Sequence, residues 1–238
     1  MSVDALLEKF NKAFLEALCA GQHSSVVLKT IKPGLLSASL QESAGQFITE
    51  KIKQEQQRVW AASDYVAETS IRHPTLFLDL CSSGDLHRQY SASSYLEKLA
   101  AVLKLCQSRD ELAQQIRLFR HREIIRIIWR DICELSLLNE TVMDLSNLAD
   151  ACINIGIDYL HQSLAKEWGE PYADNGKKPQ RMLVLGMGKL GARELNLSSD
   201  IDLIFAYPYS GVTKGGKKER SCQEFFVRLG QQLIKLLD

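Results

Sequence analysis

The chain has 238 residues, of which 45% are hydrophobic and 24% are charged, so it is long enough for one large or two small globular domains. Its 29 basic and 29 acidic residues balance, and no overall electric field exists to recruit nucleic acid or an anionic membrane. Its apolar runs are too short to span a bilayer and its first residues do not resemble a signal peptide, so the sequence predicts a cytoplasmic protein with no nucleic-acid or membrane partner.

The first part of the chain has helical periodicity almost throughout. Apolar residues mark one face of a first helix that ends near Gly21, at positions Leu7, Phe10, Phe14 and Leu18. Turn-forming residues separate the segments that follow, at residues 32–34, 73–74 and 82–84. Further helices are predicted over residues 93–106, 109–137 and 141–168. We therefore predict a helical domain over residues 1–169.

One of these helices carries a repeated basic residue. Arg122, Arg126 and Arg130 recur every four residues and therefore share one helix face. Two interpretations stand: a solvated basic face, or a surface that contacts phosphate or an acidic partner. His121 and His161 also lie in predicted helices, without metal-ligand spacing, which favours structural roles for both.

A second region follows a segment dense in residues that break regular structure, predicted as a linker loop over residues 170–180. Strands are predicted from residue 182 and around residue 202, separated by a glycine turn and a helix over residues 190–196. A polar loop over residues 209–219 and a helix over residues 224–237 complete the pattern. Two strands make too small a sheet to stand alone. We therefore predict an α+β fold, with an incomplete sheet over residues 181–238 and a chain truncated within its last helix.

Asp200 and Asp202 are the candidate catalytic and metal-binding residues. Side chains two apart on a strand lie on one face, and two carboxylates there repel by about 2 to 3 kcal/mol at an effective dielectric near 20. A divalent cation removes this repulsion, and hard oxygen ligands of this kind suit Mg²⁺.

The residues before these acids suit a phosphate group. Gly186 and Gly188 allow backbone amides to approach a ligand closely at the start of the predicted helix. Lys189 adds a positive charge, and Ser198 and Ser199 supply hydroxyl groups. The pattern predicts a nucleotide site beside the Mg²⁺ site.

A dinucleotide-binding fingerprint is the rival interpretation, because residues 186–191 match G-x-G-x-x-G after a strand. That fingerprint opens a full crossover helix and places its acid about 20 residues further on. Here the acids come too early and the intervening helix is too short. The spacing therefore favours a metal-assisted nucleotide site.

The glycine turn, the interval of about ten residues and the Asp-hydrophobic-Asp pattern resemble the polymerase β-type nucleotidyltransferase superfamily. The longer segment over residues 185–208 is similar to the glutamine synthetase adenylyltransferase family, also called glutamate-ammonia-ligase adenylyltransferase. The similarity extends to further segments, at residues 118–123, 129–131, 215–216 and 225–231.

This resemblance implies a tandem enzyme with two nucleotidyltransferase domains, one attaching AMP to a tyrosine of glutamine synthetase and one removing it. Residues 194–202 resemble the first, AMP-removing copy. The implied partners are glutamine synthetase, the nucleotides ADP and ATP, phosphate, Mg²⁺ and PII signal proteins. The family's next segment would supply a third acid, which has no match here, so we expect the chain alone not to turn over. A nucleotidyltransferase with another acceptor and a non-catalytic protein-binding module remain as alternatives.

Overall fold

A computed structural model describes residues 2–19, 48–104, 106, 108–174 and 176–237. The turn predicted at residues 32–34, the helix end at Gly21 and the side chains of Phe14 and Leu18 lie outside the described part. Most of the described residues are helical. The longer helices are α1 (Val3–Cys19), α2 (Glu50–Ala62), α3 (Asp64–Arg72), α4 (Pro74–Ser83), α5 (Ser94–Leu103), α6 (Arg109–Ile132) and α7 (Leu138–Trp168).

Two compact units make up the chain. The first contains Met1–Ser91 and Ala101–Asp144, and the second contains Ala92–Ala100 and Leu145–Asp238. The division therefore falls within α7. The domain boundaries predicted near residues 169 and 181 stay a prediction.

The ends of the helices in the first unit follow from local sequence. Thr49, Ser63 and Ser108 precede α2, α3 and α6, and each side chain accepts a hydrogen bond from the backbone N–H three residues later. Pro74 occupies the first turn of α4, where its missing N–H is not needed. Gly84 ends that helix with a left-handed φ of 70°. The breaks predicted at residues 73–74 and 82–84 are confirmed.

Aromatic side chains form the centre of the first unit's core. Phe10 of α1 meets Trp60 at a ring separation of 5.5 Å and Phe77 at 5.7 Å, both edge to face. Phe77 also lies 5.4 Å from Trp129 of α6. Both tryptophans and Phe77 are fully buried, so these contacts tie four helices to one core.

The arginine stripe on α6 is buried, so the interpretation as a solvated basic face is wrong. Arg122 binds the buried carboxylates of Asp79 and Asp85 at 2.5 and 2.7 Å. Arg126 binds Asp144 at 3.1 Å, and Arg130 donates to backbone carbonyl groups and to a nearby glutamate. All three guanidinium groups bind partners inside the protein, because a buried charge must be paired.

The second unit contains two small antiparallel sheets. Strand β1 (Gly169–Ala173) pairs with β4 (Gly211–Gly215), and β2 (Leu183–Gly186) pairs with β3 (Leu203–Ala206). A single helical turn, α8 (Gly188–Gly191), lies between β2 and β3, and the chain continues into α9 (Cys222–Leu237). The predicted α+β fold, mainly helical with an incomplete sheet, is confirmed.

Two segments predicted as loops contain strands instead. All of β1 except Gly169 lies in the range predicted as a linker, and β4 lies in the predicted polar loop. Their glycines suggested turns, yet Gly169 allows close strand approach: a Cβ atom there would lie 2.5 Å from the Lys214 carbonyl oxygen. Lys214 also stacks over the Tyr172 ring at 4.8 Å.

The strand predicted from residue 182 is β2, and it is covered on one face only. Leu183 and Leu185 of β2 and Ile204 of β3 are 54, 51 and 48% exposed. In the antiparallel register Leu185 lies opposite Ile204, so these side chains share the uncovered face of the sheet.

Candidate functional site

The glycine turn connects β2 to the one-turn helix α8. Gly188 has a left-handed φ of 53°, which favours a residue without a side chain. Gly191 lies against the end of β2, where a Cβ atom would come within 2.5 Å of the Gly186 carbonyl oxygen. The predicted glycine turn is therefore present, and its backbone is closely packed.

The helix predicted over residues 190–196 is wrong, because α8 ends at Gly191. Arg193 adopts a left-handed φ of 63°, which no continuing right-handed helix permits. The Glu194 N–H bonds back to the Lys189 carbonyl group at 2.8 Å and closes the turn. A helix of one turn has little macrodipole, so the phosphate-binding role expected for its N-terminus rests on the individual amide groups.

The segment after this turn is fastened to α7. Arg193 binds the carboxylate of Asp150 and the amide oxygen of Asn147. Two residues later, the Leu195 N–H donates to Ser146 Oγ at 3.4 Å, and Leu195 itself is buried. These contacts hold the chain that leads from the glycine turn to the acids.

Asp202 is brought against the glycine turn. It lies just before β3, and its carbonyl oxygen accepts a hydrogen bond from the Met187 N–H at 2.9 Å. A Cβ atom built on Gly188 would lie 3.8 Å from Asp202 Oδ2, so the carboxylate faces the turn at a position where a side chain is lacking. Asp200 precedes the strand as well, and both aspartates are exposed.

The two serines are organised by Asn196, a residue that sequence reasoning missed. Its side-chain oxygen accepts from Ser199 Oγ at 2.5 Å and from Ser198 Oγ at 3.4 Å, and its carbonyl group accepts from the Ser199 N–H. Asn and Ser close together are typical turn-forming residues. Arg193 was also missed, because no sequence pattern predicts an arginine with a left-handed backbone conformation.

The remaining predicted residues are near in sequence but not bonded to the acids. Within the described part of the chain, Lys189, Ser198 and Ser199 make no hydrogen bond or ion pair with Asp200 or Asp202. The donor set for a metal is correspondingly small: among the described residues no group of three or more His, Cys, Asp or Glu side chains is placed to hold an ion. Two carboxylates fit Mg²⁺ as a partial ligand set, since this ion keeps water and substrate oxygens as its other ligands.

Comparison with known proteins places this site in a family. The family model for glutamate-ammonia ligase adenylyltransferase matches residues 53–238, which include the glycine turn and both aspartates. The chain belongs to the glutamate-ammonia ligase adenylyltransferase family. The resemblance inferred from residues 185–208 is confirmed.

Members of the glutamate-ammonia ligase adenylyltransferase family match most of this chain. The bifunctional glutamine synthetase adenylyltransferase/adenylyl-removing enzyme of Pseudomonas aeruginosa is 50% identical over 181 residues, covering 76% of this chain and 18% of the relative. That of Nitrosococcus oceani is 49% identical over 180 residues, covering 76 and 19%. That of Shewanella woodyi is 40% identical over 190 residues, covering 80 and 20%. The chain therefore matches about a fifth of the length of these relatives.

None of the helices in the described part of this family member has the length and apolar character needed to cross a bilayer.

Proposed function

We propose that the chain supplies the glycine turn and the aspartate pair of a site that removes AMP from a tyrosine of glutamine synthetase. The names of the relatives support the substrate, since each is an adenylyl-removing as well as an adenylylating enzyme. The similarity of residues 194–202 to the first nucleotidyltransferase copy supports removal over attachment. The site would act in a regulatory enzyme of nitrogen metabolism.

One observation carries the proposal: the Asp202 carboxylate lies beside Gly188 while the Met187 N–H bonds the Asp202 carbonyl group. A nucleotide site needs backbone donors for phosphate oxygens next to carboxylates that hold a metal. The β2–β3 pairing produces that adjacency, because Gly186, the last residue of β2, lies opposite Leu203, the first residue of β3.

The reaction proposed is phosphorolysis. An oxygen of inorganic phosphate attacks the phosphorus of the adenylyl group, and the bond from that phosphorus to the tyrosine oxygen breaks. The products are ADP and the unmodified tyrosine, whose oxygen takes up the proton that the attacking hydrogen phosphate brought. Phosphate is a sufficient nucleophile once it is positioned, so no general base is assigned.

The residue roles follow from this chemistry. The backbone amides at Gly186 and Gly188 would contact phosphate oxygens, and Lys189 would offset their charge. Ser198 and Ser199 would orient the same group through hydroxyls that Asn196 holds in place. Asp200 and Asp202 would hold Mg²⁺, which when bound supplies charge neutralisation at the reacting phosphoryl group.

A chimera tests the proposal. The matching 181 residues of the Pseudomonas aeruginosa enzyme are replaced by this chain's residues, and phosphate-dependent ADP release from adenylylated glutamine synthetase is measured. We expect the chimera to release ADP and both Asp200→Asn and Asp202→Asn to lower the rate by at least about a hundredfold, as loss of a key electrostatic group does. Asp158→Asn, the same change on an exposed position of α7, is the matched control and should leave the rate unchanged.

A non-catalytic protein-binding module is the second candidate, and the small donor set favours it. The 238-residue chain is mixed with adenylylated glutamine synthetase, Mg²⁺ and phosphate, and both binding and ADP release are followed. Binding without release, together with an ADP-releasing chimera that Asp202→Asn does not impair, would support the module and overturn the proposed site.

A further inference from the structure

A cluster of ring side chains lies in the first unit, where α3 packs against α6. The imidazoles of His73 and His121 stack with a centroid separation of 5.6 Å and an interplanar angle of 21°. Tyr65 Oη lies 2.8 Å from His121 Nδ1. Tyr65 belongs to α3, His121 to α6, and His73 joins α3 to α4, so three segments converge here.

Arginines flank both histidines in the chain. Arg117 and Arg120 lie four residues and one residue before His121, and Arg117 lies three residues before Arg120, so they form a continuous surface of α6. Arg72 is adjacent to His73 at the end of α3. Burial lowers the pKa of His121, and the positive charges of His73 and of the nearby arginines lower it further. Burial and Arg72 lower the pKa of His73 in the same way.

The cluster offers donors rather than acceptors. When Tyr65 donates to His121 Nδ1, a neutral imidazole carries its proton on Nε2 and can donate there. Arg72 and Arg117 are exposed, and in the described part of the chain neither guanidinium has an ion-pair or hydrogen-bond partner. Planar guanidinium groups beside an imidazole donor match the oxygens of a phosphate-type anion.

We propose that Arg72, His73, Arg117 and His121 form a binding site for a phosphate-type oxyanion, either free inorganic phosphate or the phosphates of a nucleotide. A bound dianion offsets the positive charges around the two rings and so favours their protonated forms. The histidine predicted as purely structural at position 121 thereby gains a ligand-binding role. This site shares no residue with the glycine turn and aspartate pair, so it stands whether or not the proposed function does.

Nuclear magnetic resonance of the histidine rings in the 238-residue chain tests the site. Inorganic phosphate should shift the signals of His73 and His121 saturably and raise both pKa values. Removing one charged contact corresponds to about 1.5 kcal/mol, so Arg72→Glu and Arg117→Glu should each weaken binding about tenfold or more. Lys166→Glu, the same kind of charge reversal at an exposed site of α7, is the matched control and should bind as the unaltered chain does.

A comparison of ADP, inorganic phosphate and adenosine as ligands separates the two sources of the anion. ADP binding more tightly than phosphate identifies a nucleotide, and equal or weaker binding identifies free phosphate; adenosine should have no effect. Arg117→Gln removes the charge without reversal and should weaken binding by a smaller factor, with circular dichroism verifying the fold. Three results would each overturn the site. Chloride at equal ionic strength could produce the same shifts as phosphate, or adenosine could act as ADP does. The third is that Lys166→Glu weakens binding as much as the arginine substitutions do.

Discussion

Arg122 has an unusual environment for a single side chain, since it contacts three carboxylates in the buried part of the first unit: Asp79, Asp85 and Glu123. Glu123 is fully buried. Burial raises the pKa of Glu123, while Arg122 and Arg126 act in the opposite direction. Glu123 can therefore keep its proton at a pH at which an exposed glutamate has lost its own.

Glu123→Gln should change how stability depends on pH. Because the folded pKa of Glu123 is raised, the unfolded chain loses this proton first as the pH rises above about 4.3, the ordinary glutamate value. The free energy of unfolding then falls until the pH passes the folded pKa. Glutamine has no such titration. The advantage of Glu123→Gln over the unaltered chain should thus grow with pH in urea unfolding, and a difference that stays constant with pH would contradict this account.

The buried arginines show what a single sequence leaves open at the scale of residues. Their spacing correctly placed them on one face of one helix. The burial of Arg122 depends on Asp79 and Asp85, which lie 43 and 37 residues earlier in the chain. No local pattern specifies which distant carboxylates will cover a basic stripe.

At the scale of elements, the β1–β4 pair depends on close backbone approach. Gly169 and Gly215 are register partners and both have left-handed φ values, 84 and 87°. The two positions differ in the room that they leave for a side chain. A Cβ atom on Gly169 would lie 2.5 Å from the Lys214 carbonyl oxygen and 2.6 Å from the Gly216 backbone nitrogen. A Cβ atom on Gly215 would meet nothing within 4 Å.

Gly169→Ala should therefore destabilise the chain more than Gly215→Ala. Both substitutions incur left-handed strain of about 1 to 2 kcal/mol. Gly169→Ala adds a backbone clash, which costs about 1 to 3 kcal/mol more. Urea unfolding of the two variants gives the comparison directly, and equal losses would show that β1 and β4 do not approach as closely as the structure has them.

The contact between the Arg193 segment and α7 is a second feature of this scale. Arg193 and Asp150 are each more than one-third exposed, so their ion pair contributes only about 0.2 to 1 kcal/mol. Arg193→Ala, Asp150→Ala and the double variant form a cycle whose coupling energy should lie in that range. Hydrogen exchange at the Leu195 amide should quicken in Arg193→Ala. Zero coupling with unchanged exchange would mean that the segment is held by other contacts.

The elements that could be predicted are those with a strong periodic or chemical signal. The last helix, predicted over residues 224–237, is α9 at Cys222–Leu237, and the strands at residues 182 and 202 are β2 and β3. The strands β1 and β4 carry Gly, Pro, Lys and Thr without regular alternation, and only their pairing makes them strands. The short α8 could not be foreseen because Arg193 takes a backbone conformation that its residue type disfavours.

For the molecule as a whole, we propose that the glycine turn and the aspartate pair act as one site for a metal and a nucleotide. The sequence placed both halves within seventeen residues, and the structure shows Asp202 against Gly188. The case for Lys189 and the two serines rests on their chemistry and on family membership. In the described part of the chain, none of them makes a hydrogen bond or an ion pair with Asp200 or Asp202.

Paramagnetic broadening by Mn²⁺, used in place of Mg²⁺, tests this claim most directly. In the 238-residue chain with ADP present, Mn²⁺ should broaden the amide signals of Gly188, Lys189 and residues 200–202 together, with the signals of the β1–β4 pair as an internal reference. Asp202→Asn should abolish the broadening, and Asp158→Asn should preserve it. Broadening at the aspartates without the glycine turn, or broadening that survives Asp202→Asn, would contradict a single shared site.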